Sequence, residues 1–257
     1  MTDQHDPAPA LVAAGLTKTY DGVTALQPLD LVVGVGESVA LIGHNGSGKS
    51  TLLRMAAGLL DPTAGTMAVA GFEVGDIDAR ATTSFLPDDP VLYDDLSLRE
   101  HAEYVSRLHG GDGFDDYALD LCERLGLGPR VDDLPATFSR GLRQKTSIVL
   151  ALVRPFSLLL VDEPFVGLDQ PGKAVLLDLL DEVHADGAAT LVATHDPAYV
   201  DRVDRSIALR DGEVVAEGPA RQVLAGSLFA PQVLRVLPPF LTVAEVAEAR
   251  RQAEGRG

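Results

Sequence analysis

Apolar and polar positions along the chain alternate between a strand-like and a helix-like pattern. The run from Ser157 to Val161 is continuously apolar, which predicts a strand buried on both faces. Lys173 to Ala185 then repeats its leucines at helical spacing and predicts an amphipathic helix. Ala189 to Ala193 returns to a strand pattern. This succession predicts an α/β fold.

The first part of the chain has the same character. Ser38 to Ile42 predicts a strand, a glycine-rich turn follows, and Lys49 to Leu59 predicts a helix that ends near Gly58 and Pro62. The residues from 11 to 42 as a whole predict short strands. Further strands are predicted at Leu29 to Val33, Thr66 to Ala70, Thr82 to Leu86, Ser206 to Leu209 and Val214 to Ala216, the last two joined by a hairpin turn at Arg210 to Glu213.

The stretch from about 88 to 155 differs, because it predicts mainly helices. Ser97 and Glu100 form a capping-box pattern that opens a helix running toward His109. A second helix is predicted from Phe114 to Leu125, and a third after Gly141. We therefore interpret this stretch as a helical insert in the α/β domain.

The chain divides into a main domain, 1–225, and a tail, 226–257. The tail is marked by prolines and predicts a helix with Thr242 as N-cap and Glu245 as its capping-box partner.

Composition narrows the class of protein. The chain has 257 residues, 46% of them hydrophobic, which is enough for a sizeable core. The net charge is -17 and no run of Lys or Arg offsets it, which argues against a nucleic-acid partner. Met1 to Ala10 has no signal-peptide pattern, and no stretch approaches the roughly 20 apolar residues of a membrane span. We expect a soluble chain that reaches a membrane only through a partner.

The single cysteine, Cys122, lies among leucines in a predicted helix. We interpret it as a small packed side chain, and one thiol fits a reducing cytoplasm. Among the histidines, His44 stands at a variable loop position, and we expect His5, His101, His109 and His184 to be solvated.

A phosphate-binding loop follows the strand at Ser38 to Ile42. The sequence fits G-x-x-x-x-G-K-[ST] at every fixed position, with glycines that let backbone N–H groups surround phosphate oxygens. The following helix adds its positive end, Lys49 a point charge, and Ser50 a hydroxyl that can bind Mg²⁺. The predicted nucleotide-binding residues here are Gly43, His44, Asn45, Gly46, Ser47, Gly48, Lys49, Ser50 and Thr51.

Two carboxylates follow the apolar run that starts at Ser157. Asp162 comes at the predicted carboxyl end of the strand, where ligands bind in such folds, and is predicted to hold Mg²⁺. Glu163 is adjacent and suits a general base that polarises an attacking water. Together with the loop, this pair predicts binding and hydrolysis of ATP.

At this point the sequence resembles the ATP-binding subunits of ABC transporters, from residue 11 to about 220. Phe138 to Gln144 stands where that family has its LSGGQ signature, and Ser139 and Gly141 match it, whereas Arg140 and Leu142, like Phe138, depart from the consensus. The retained pair supplies a hydroxyl and a backbone N–H at a helix start that faces a phosphate.

The resemblance extends to four other segments. Gly167-Leu168-Asp169 resembles the D-loop, and His195 in Thr194-His195-Asp196 resembles the switch histidine, whose imidazole bonds the γ-phosphate. Tyr20 stands where the family stacks an aromatic ring on adenine. Asp88 replaces the glutamine of the Q-loop, so it can bind Mg²⁺ but cannot donate a hydrogen bond.

The resemblance implies a P-loop NTPase (RecA-like) core with an N-terminal antiparallel β-subdomain and an inserted α-helical subdomain. It also implies an ATP hydrolase that uses Mg²⁺, held by Ser50, Asp88 and Asp162, with Glu163 and His195 as catalytic residues. Two copies, or one copy and a related ATPase subunit, would enclose ATP head to tail. Their partner would be an integral membrane permease, and the chain itself would be cytoplasmic and peripheral on the inner face of the cell membrane.

Export is favoured over import by Pro87 to Pro90 and the segment from Leu92 to Ser97, which resemble exporter-type subunits. The tail resembles vitamin-uptake cassettes, which leaves vitamin or metal import open. A regulatory cassette without transport, or one without hydrolysis, is the other alternative. A chromosome-maintenance ATPase is disfavoured because the chain has no long coiled-coil insert, and a translation-associated protein because it has one cassette.

Overall fold

A computed structural model describes residues 8–220, 222 and 223, and the predicted tail helix with Thr242 and Glu245 lies outside this part of the chain. A six-stranded sheet forms its centre, in the order β10-β9-β3-β8-β7-β6. Strands β9, β3, β8, β7 and β6 are parallel neighbours, and β10 is antiparallel to β9. The six are β3 (Ser38–Ile42), β6 (Thr83–Leu86), β7 (Leu158–Asp162), β8 (Ala189–Ala193), β9 (Arg205–Arg210) and β10 (Glu213–Gly218).

A second, four-stranded antiparallel sheet has the order β2-β1-β4-β5. It comes from the N-terminal part of the chain and consists of β1 (Leu11–Tyr20), β2 (Val23–Val33), β4 (Ala64–Val69) and β5 (Phe72–Glu73). The fold is therefore α/β with an N-terminal antiparallel sheet, as the sequence and the resemblance imply.

Seven α-helices lie in residues 8–218, and three of them fall in the predicted helical insert. They are α1 (Lys49–Ala56), α2 (Ile77–Thr82), α3 (Leu98–Leu108), α4 (Asp116–Arg124), α5 (Arg140–Leu152), α6 (Gln170–Ala185) and α7 (Pro197–Val200), with short 3-10 turns at Gly128–Arg130 and Pro135–Thr137. The capping box at α3 is confirmed, because the Ser97 hydroxyl accepts from the Glu100 N–H and the Glu100 carboxylate accepts from the Ser97 N–H.

Two hydrophobic cores lie on opposite faces of the six-stranded sheet. Leu158 and Leu160 pack into the core shared with α1 and the antiparallel sheet. Leu159 and Val161 pack into the core shared with α5 and α6. Because side chains of a strand alternate between faces, one continuous apolar run supplies both cores.

A bidentate ion pair joins helix α4 of the insert to helix α6, which follows the insert in the chain. The Arg124 guanidinium donates to both oxygens of Glu182, at 2.9 and 2.6 Å. Paired parallel hydrogen bonds of this kind fix orientation as well as distance. The pair orients the outer end of the insert against the helix that follows the proposed catalytic carboxylate.

The structure corrects several sequence expectations. Strand β2 begins at Val23 rather than Leu29, because it pairs along its length with β1. The short elements α2 and β5 were not predicted, and they bury little apolar surface. Helix α6 begins at Gln170, where Asp169 caps it, three residues before the predicted start.

The expectation that His101 is solvated is wrong. Its side chain lies on the inner face of α3, and the residue is 3% exposed. The ring accepts a hydrogen bond at Nε2 from the Tyr93 N–H, 2.9 Å away, and Nδ1 lies 2.8 Å from the Ser97 carbonyl. His109 is half-buried and its pKa is lowered, chiefly by that burial. Cys122 is fully buried, as expected.

Candidate functional site

The phosphate-binding loop connects the end of β3 to the start of α1. A Cβ on Gly43 would overlap the Leu209 carbonyl, and one on Gly48 would lie 2.9 Å from the Ala25 carbonyl. Both glycines also have positive φ, so the close approach and the backbone conformation each exclude a side chain. The sequence therefore folds here into a narrow loop with its N–H groups at a helix N-terminus.

The hairpin turn between β9 and β10 supports this loop from the far end of the chain. The Gly212 N–H donates to the Ser47 carbonyl at 3.0 Å, and the Gly212 carbonyl accepts from the Gln27 N–H at 2.9 Å. His44 Nε2 lies 3.3 Å from the Asp211 carboxylate. These contacts are not predictable from the sequence, because nothing local connects residue 47 to residue 212.

Lys49 lies at the base of the loop and is 5% exposed. Its Nζ donates to the Gly43 carbonyl at 2.7 Å and stands 3.5 Å from Glu163 Oε1. Burial lowers the pKa of Lys49, and the opposing charges of Glu163 and Asp162 only partly offset it. A buried cation with incomplete compensation is suited to bind an anion.

Asp162 ends β7 beside the loop and is 2% exposed. Burial raises the pKa of its carboxyl, the Ser50 hydroxyl donating to it acts in the opposite direction, and the nearby charges of Asp88 and Glu163 raise it further. Its Oδ1 is buried without a hydrogen-bond partner. A buried carboxylate oxygen with a serine hydroxyl at its side is the oxygen-rich donor set that Mg²⁺ prefers.

Glu163 has a backbone φ of 45°, the left-handed region that non-glycine residues seldom adopt. Its N–H donates to the Ala193 carbonyl at 2.8 Å, which fixes the turn at the edge of the sheet. The side chain then places Oε1 3.0 Å from His195 Nε2. Backbone strain at a functional residue is a recurring feature of active sites.

His195 is carried by the loop between β8 and α7. The next residue, Asp196, caps α7 through its carboxylate, and its N–H donates to the Thr194 hydroxyl at 3.0 Å. Lys173 on α6 adds an ion pair to Asp196 at 3.3 Å. Three contacts thus hold the loop that orients the imidazole, and Lys173 was not foreseen from the sequence.

The predicted signature residues lie at the start of α5. The Ser139 hydroxyl accepts from the Leu142 N–H at 3.3 Å, and Ser139 itself is exposed. A Cβ on Gly141 would lie 2.8 Å from the Gly167 carbonyl, so this helix start packs directly on the predicted D-loop. Farther along the helix, Gln144 donates to the Pro164 carbonyl at 3.3 Å and ties α5 to the segment after Glu163.

The structure thus brings Lys49, Ser50, Asp162, Glu163 and His195 together at one sheet edge. In the described residues, no hydrogen bond or ion pair joins Ser139 or Gly141 to that cluster. The other predicted residues are more peripheral: Asp88, Asn45 and Gly46 are exposed, His44 and Thr51 are half-buried, and Ser47 is buried. Tyr20 at the end of β1 is 45% exposed, with Lys18 Nζ 5.2 Å from its ring centroid.

Comparisons with known proteins identify the family. A family model described as ABC transporter matches residues 26–166. The chain is 31% identical to the SkfA peptide export ATP-binding protein SkfE of Bacillus subtilis, over 86% of this chain and 94% of that protein. It is 36% identical to the macrolide export ATP-binding/permease protein MacB 1 of Aeromonas hydrophila, over 81% of this chain.

The chain spans only part of several curated relatives, 34% of that MacB and 45% of an ABC transporter ATP-binding protein of Streptomyces coelicolor. No helix in the described residues has the length and apolarity needed to cross a membrane.

Superposition on solved structures identifies the same family. An ATP-binding subunit of an ABC transporter superimposes with a TM-score of 0.76 and 31% identity, over 94% of this chain and 99% of the other. The ATP-binding cassette MJ0796, in a dimeric post-hydrolysis state bound to ADP and phosphate, superimposes with a TM-score of 0.75 and 26% identity, over 82% and 99%. With the family model covering 141 of its 257 residues, the chain belongs to the ABC transporter family and is an ATP-binding cassette of the ATPase class.

Proposed function

We propose that this chain binds ATP with Mg²⁺, hydrolyses it in a two-cassette assembly, and thereby drives export of a substrate through a membrane permease. The observation that carries the proposal is the meeting of Lys49, Asp162, Glu163 and His195 within a few ångströms at the carboxyl edge of the parallel sheet. Ligands of open α/β sheets bind at this edge.

The triphosphate would be held by the loop from Gly43 to Thr51. Lys49 is buried and its ammonium now faces the Gly43 carbonyl and the Glu163 carboxylate. Phosphate oxygens would replace the carboxylate as its partner, which frees Glu163 Oε1 to accept a proton from the attacking water. His195 Nε2, 3.0 Å from the same carboxylate, would hold the γ-phosphate.

Mg²⁺ would be held by Ser50 and Asp162. The described residues contain no group of three or more His, Cys, Asp or Glu side chains able to hold a metal ion. The ion would therefore take its remaining ligands from phosphate oxygens and water, as Mg²⁺ commonly does. When bound, it neutralises charge that develops on the phosphate oxygens. Exposed Asp88 would contribute through its negative charge near Asp162.

A second cassette would complete the site. Ser139 and Gly141 stand at an exposed helix N-terminus without contact to Lys49 of their own copy. They would face the triphosphate bound by the other copy, which makes ATP the link between the two. The dimeric form of the similar cassette MJ0796, bound to ADP and phosphate, supports this arrangement. The partner cassette would be a second copy or a related subunit.

Export is the direction that the relatives favour. SkfE is named for peptide export and MacB for macrolide export, and the MacB name joins ATP-binding and permease functions. That likeness supports an integral membrane permease as the partner, with this chain on the cytoplasmic face of the membrane. Co-purification from solubilised host membranes tests it, and recovery of the chain without any integral membrane protein would contradict the partner.

Glu163→Gln is the test of the proposed chemistry. Hydrolysis should fall at least about a hundredfold, the lower end of what a positioned general base contributes, while ATP binding persists and a dimer accumulates. Lys49→Ala should lose nucleotide binding. Glu73→Gln, the same change at an exposed strand position, is the control. Phosphate release, nucleotide titration and light scattering measure the three properties. Full turnover by Glu163→Gln would refute the assignment of the base.

A further inference from the structure

A cleft lies at the edge of the six-stranded sheet opposite to the candidate functional site. Its volume is about 550 Å³, and it is lined by Tyr117 on α4, Leu152 at the end of α5 and Val183 near the end of α6. Ser157 and Ala188, which directly precede β7 and β8, also line it. We call it the amino-edge cleft, because these parallel strands begin there. Strand β7 has five residues, so the cleft lies roughly 15 Å from the carboxyl end of that strand.

The wall of the amino-edge cleft is mainly apolar. Leu152 and Val183 are buried, and Val153, Phe156 and Ala188 are half-buried. Sites for small molecules are commonly clefts of about 300–1,000 Å³ with a largely apolar wall and a few polar groups that fix orientation. The amino-edge cleft has the size and the wall of such a site, and it would take a ligand with an apolar or aromatic body.

Arg154 is the cation among the lining residues, and it is half-buried. Its Nη2 donates to the Arg80 and Ala81 carbonyls, at 2.8 and 3.0 Å, and its Nε is buried without a hydrogen-bond partner. Burial lowers the pKa of Arg154, and no carboxylate of the described residues offsets this effect. The guanidinium has five N–H donors, so two bonds to carbonyls leave most of its capacity for an anion unused.

The charge of Arg154 also acts on its surroundings. Burial lowers the pKa of His109 at the end of α3, and the positive charge of Arg154 lowers it further. The lining residues include one carboxylate, that of Asp186, which caps the end of α6 and is exposed to solvent. Solvent and salt screen an exposed charge more than a half-buried one. An anion is therefore favoured beside Arg154, in spite of the carboxylate in the same cleft.

Tyr117 adds a polar group from the helical insert. Burial raises the pKa of its hydroxyl, and the negative charge of Glu182 acts in the same direction. The hydroxyl therefore keeps its proton at neutral pH and can donate a hydrogen bond. Tyr117 belongs to the insert, whereas Val183 and Ala188 belong to the segments that follow it, so a ligand in the cleft would contact both parts of the chain.

We propose that the amino-edge cleft binds a small amphipathic carboxylate, with its apolar body against Phe156 and Val183 and its carboxylate on Arg154. A carboxylate suits a single guanidinium, which can donate two parallel hydrogen bonds to it. A phosphate dianion would call for more positive charge, and the lining residues supply one cation. The proposal goes beyond the proposed function and does not depend on it, because the cleft is separate from the nucleotide loop.

The first experiment titrates the full chain with 2-naphthoate, an aromatic carboxylate, by isothermal calorimetry. Arg154→Gln should bind the probe about tenfold to a hundredfold more weakly than the wild type, the range for hydrogen bonds to charged groups. Arg154→Lys, which keeps the charge, should restore part of the affinity. Arg54→Gln makes the same change at an exposed arginine outside the cleft and should bind as the wild type does. Equal affinity of Arg154→Gln and Arg54→Gln, or no binding by the wild type, would overturn the proposal.

The neutral amide of the same probe tests the role of charge. The wild type should bind 2-naphthamide at least about tenfold more weakly than 2-naphthoate, because the amide cannot form a charged pair with Arg154. Arg154→Gln should bind the two probes about equally, since the interaction that distinguishes them is removed in that variant. Equal affinity of the wild type for the two probes would show that the cleft does not select an anion, which contradicts the proposal.

Ser157→Trp separates loss of the cleft from loss of a structural contact. Arg154→Gln also removes bonds to the Arg80 and Ala81 carbonyls, whereas Ser157→Trp leaves those bonds in place. Ser157 is exposed and lines the cleft, so an indole there should occupy it without disturbing the core. Affinity for 2-naphthoate should fall at least about tenfold, because the ring excludes the probe from the space that it fills. Wild-type affinity in Ser157→Trp would refute the location.

The nucleotide loop is the other place where an aromatic anion could bind, and Lys49→Ala tests that alternative. This variant lacks the buried cation of the loop and keeps every residue of the amino-edge cleft. Its affinity for 2-naphthoate should equal that of the wild type. Loss of binding in Lys49→Ala together with unchanged binding in Arg154→Gln would place the probe in the nucleotide loop and overturn the proposal.

Discussion

Gly141→Ala tests whether the close packing between the start of α5 and the D-loop matters for turnover. An added Cβ would lie 2.8 Å from the Gly167 carbonyl oxygen, whereas ordinary contacts begin at 3.4 Å. The helix start must therefore shift by about 0.6 Å, the difference between these two distances. Alanine favours a helix over glycine by up to about 1 kcal/mol, while overpacking costs about 1–3 kcal/mol. The overpacking cost therefore equals or exceeds the helix gain, and the fold should lose about 0 to 3 kcal/mol.

The effect on hydrolysis should exceed the effect on stability. A displacement of about 1 Å in a catalytic group can cost a hundredfold in rate, so a shift of this size predicts a loss of about tenfold. The monomer should bind ATP normally, because Lys49 and its loop are untouched. Gly34→Ala is the control, since its added Cβ would meet Glu37 at an ordinary 3.5 Å. Steady-state phosphate release measures the rate, and wild-type turnover by Gly141→Ala would refute the packing argument.

The other predictions concern two buried groups. Burial raises the pKa of Asp162, so the charged carboxylate destabilises the fold at any pH above that raised pKa. The Asp162→Asn variant should therefore be more stable than the wild type by about 0.5–2 kcal/mol at pH 7, as variants that lose an unpaired active-site charge commonly are. The same variant should be inactive. The gain should shrink as the pH falls through the raised pKa and should vanish near pH 3, below the ordinary value of 3.8, where the carboxyl holds its proton in both states. Thermal melting across that range would expose a pH-independent gain. Burial raises the pKa of Cys122 to about 11. About one thiol in a thousand is ionised at pH 8, so a thiol reagent should label the native chain slowly and the denatured chain at once, and fast native labelling would contradict the burial.

Elements with a strong local pattern were predicted well. Strand β8 matches its predicted bounds, because four of its five residues are apolar and all five are buried. The start of α3 follows from Ser97 and Glu100, whose reciprocal hydrogen bonds join residues only three positions apart. Elements with a weak local pattern were not predicted. Helix α2 buries one alanine, Ala79, so its sequence shows no apolar face at helical spacing.

The sequence selects the residues of the candidate site, which the structure brings together, but it does not reveal their geometry. The motifs and the resemblance select Lys49, Asp162, Glu163 and His195, which lie at or after the carboxyl ends of strands of the same sheet. No spacing reveals the left-handed backbone of Glu163, which depends on its bond to Ala193 in the neighbouring strand. The prediction that His101 is solvated failed for a similar reason, because the ring binds the backbone N–H of a residue eight positions away rather than water.

The hairpin turn at Gly212 also sets the order in which a nascent chain can become functional. Strand β3, which leads into the phosphate loop, lies between β8 and β9. The loop itself accepts a hydrogen bond from the Gly212 N–H. During synthesis at about 5–20 residues per second, the ribosome needs roughly 10–30 s to travel from the loop to that turn. Nucleotide stabilises only a formed binding site, so ATP cannot assist the folding of the first half of the chain. It can act only as a late ligand that captures the completed domain.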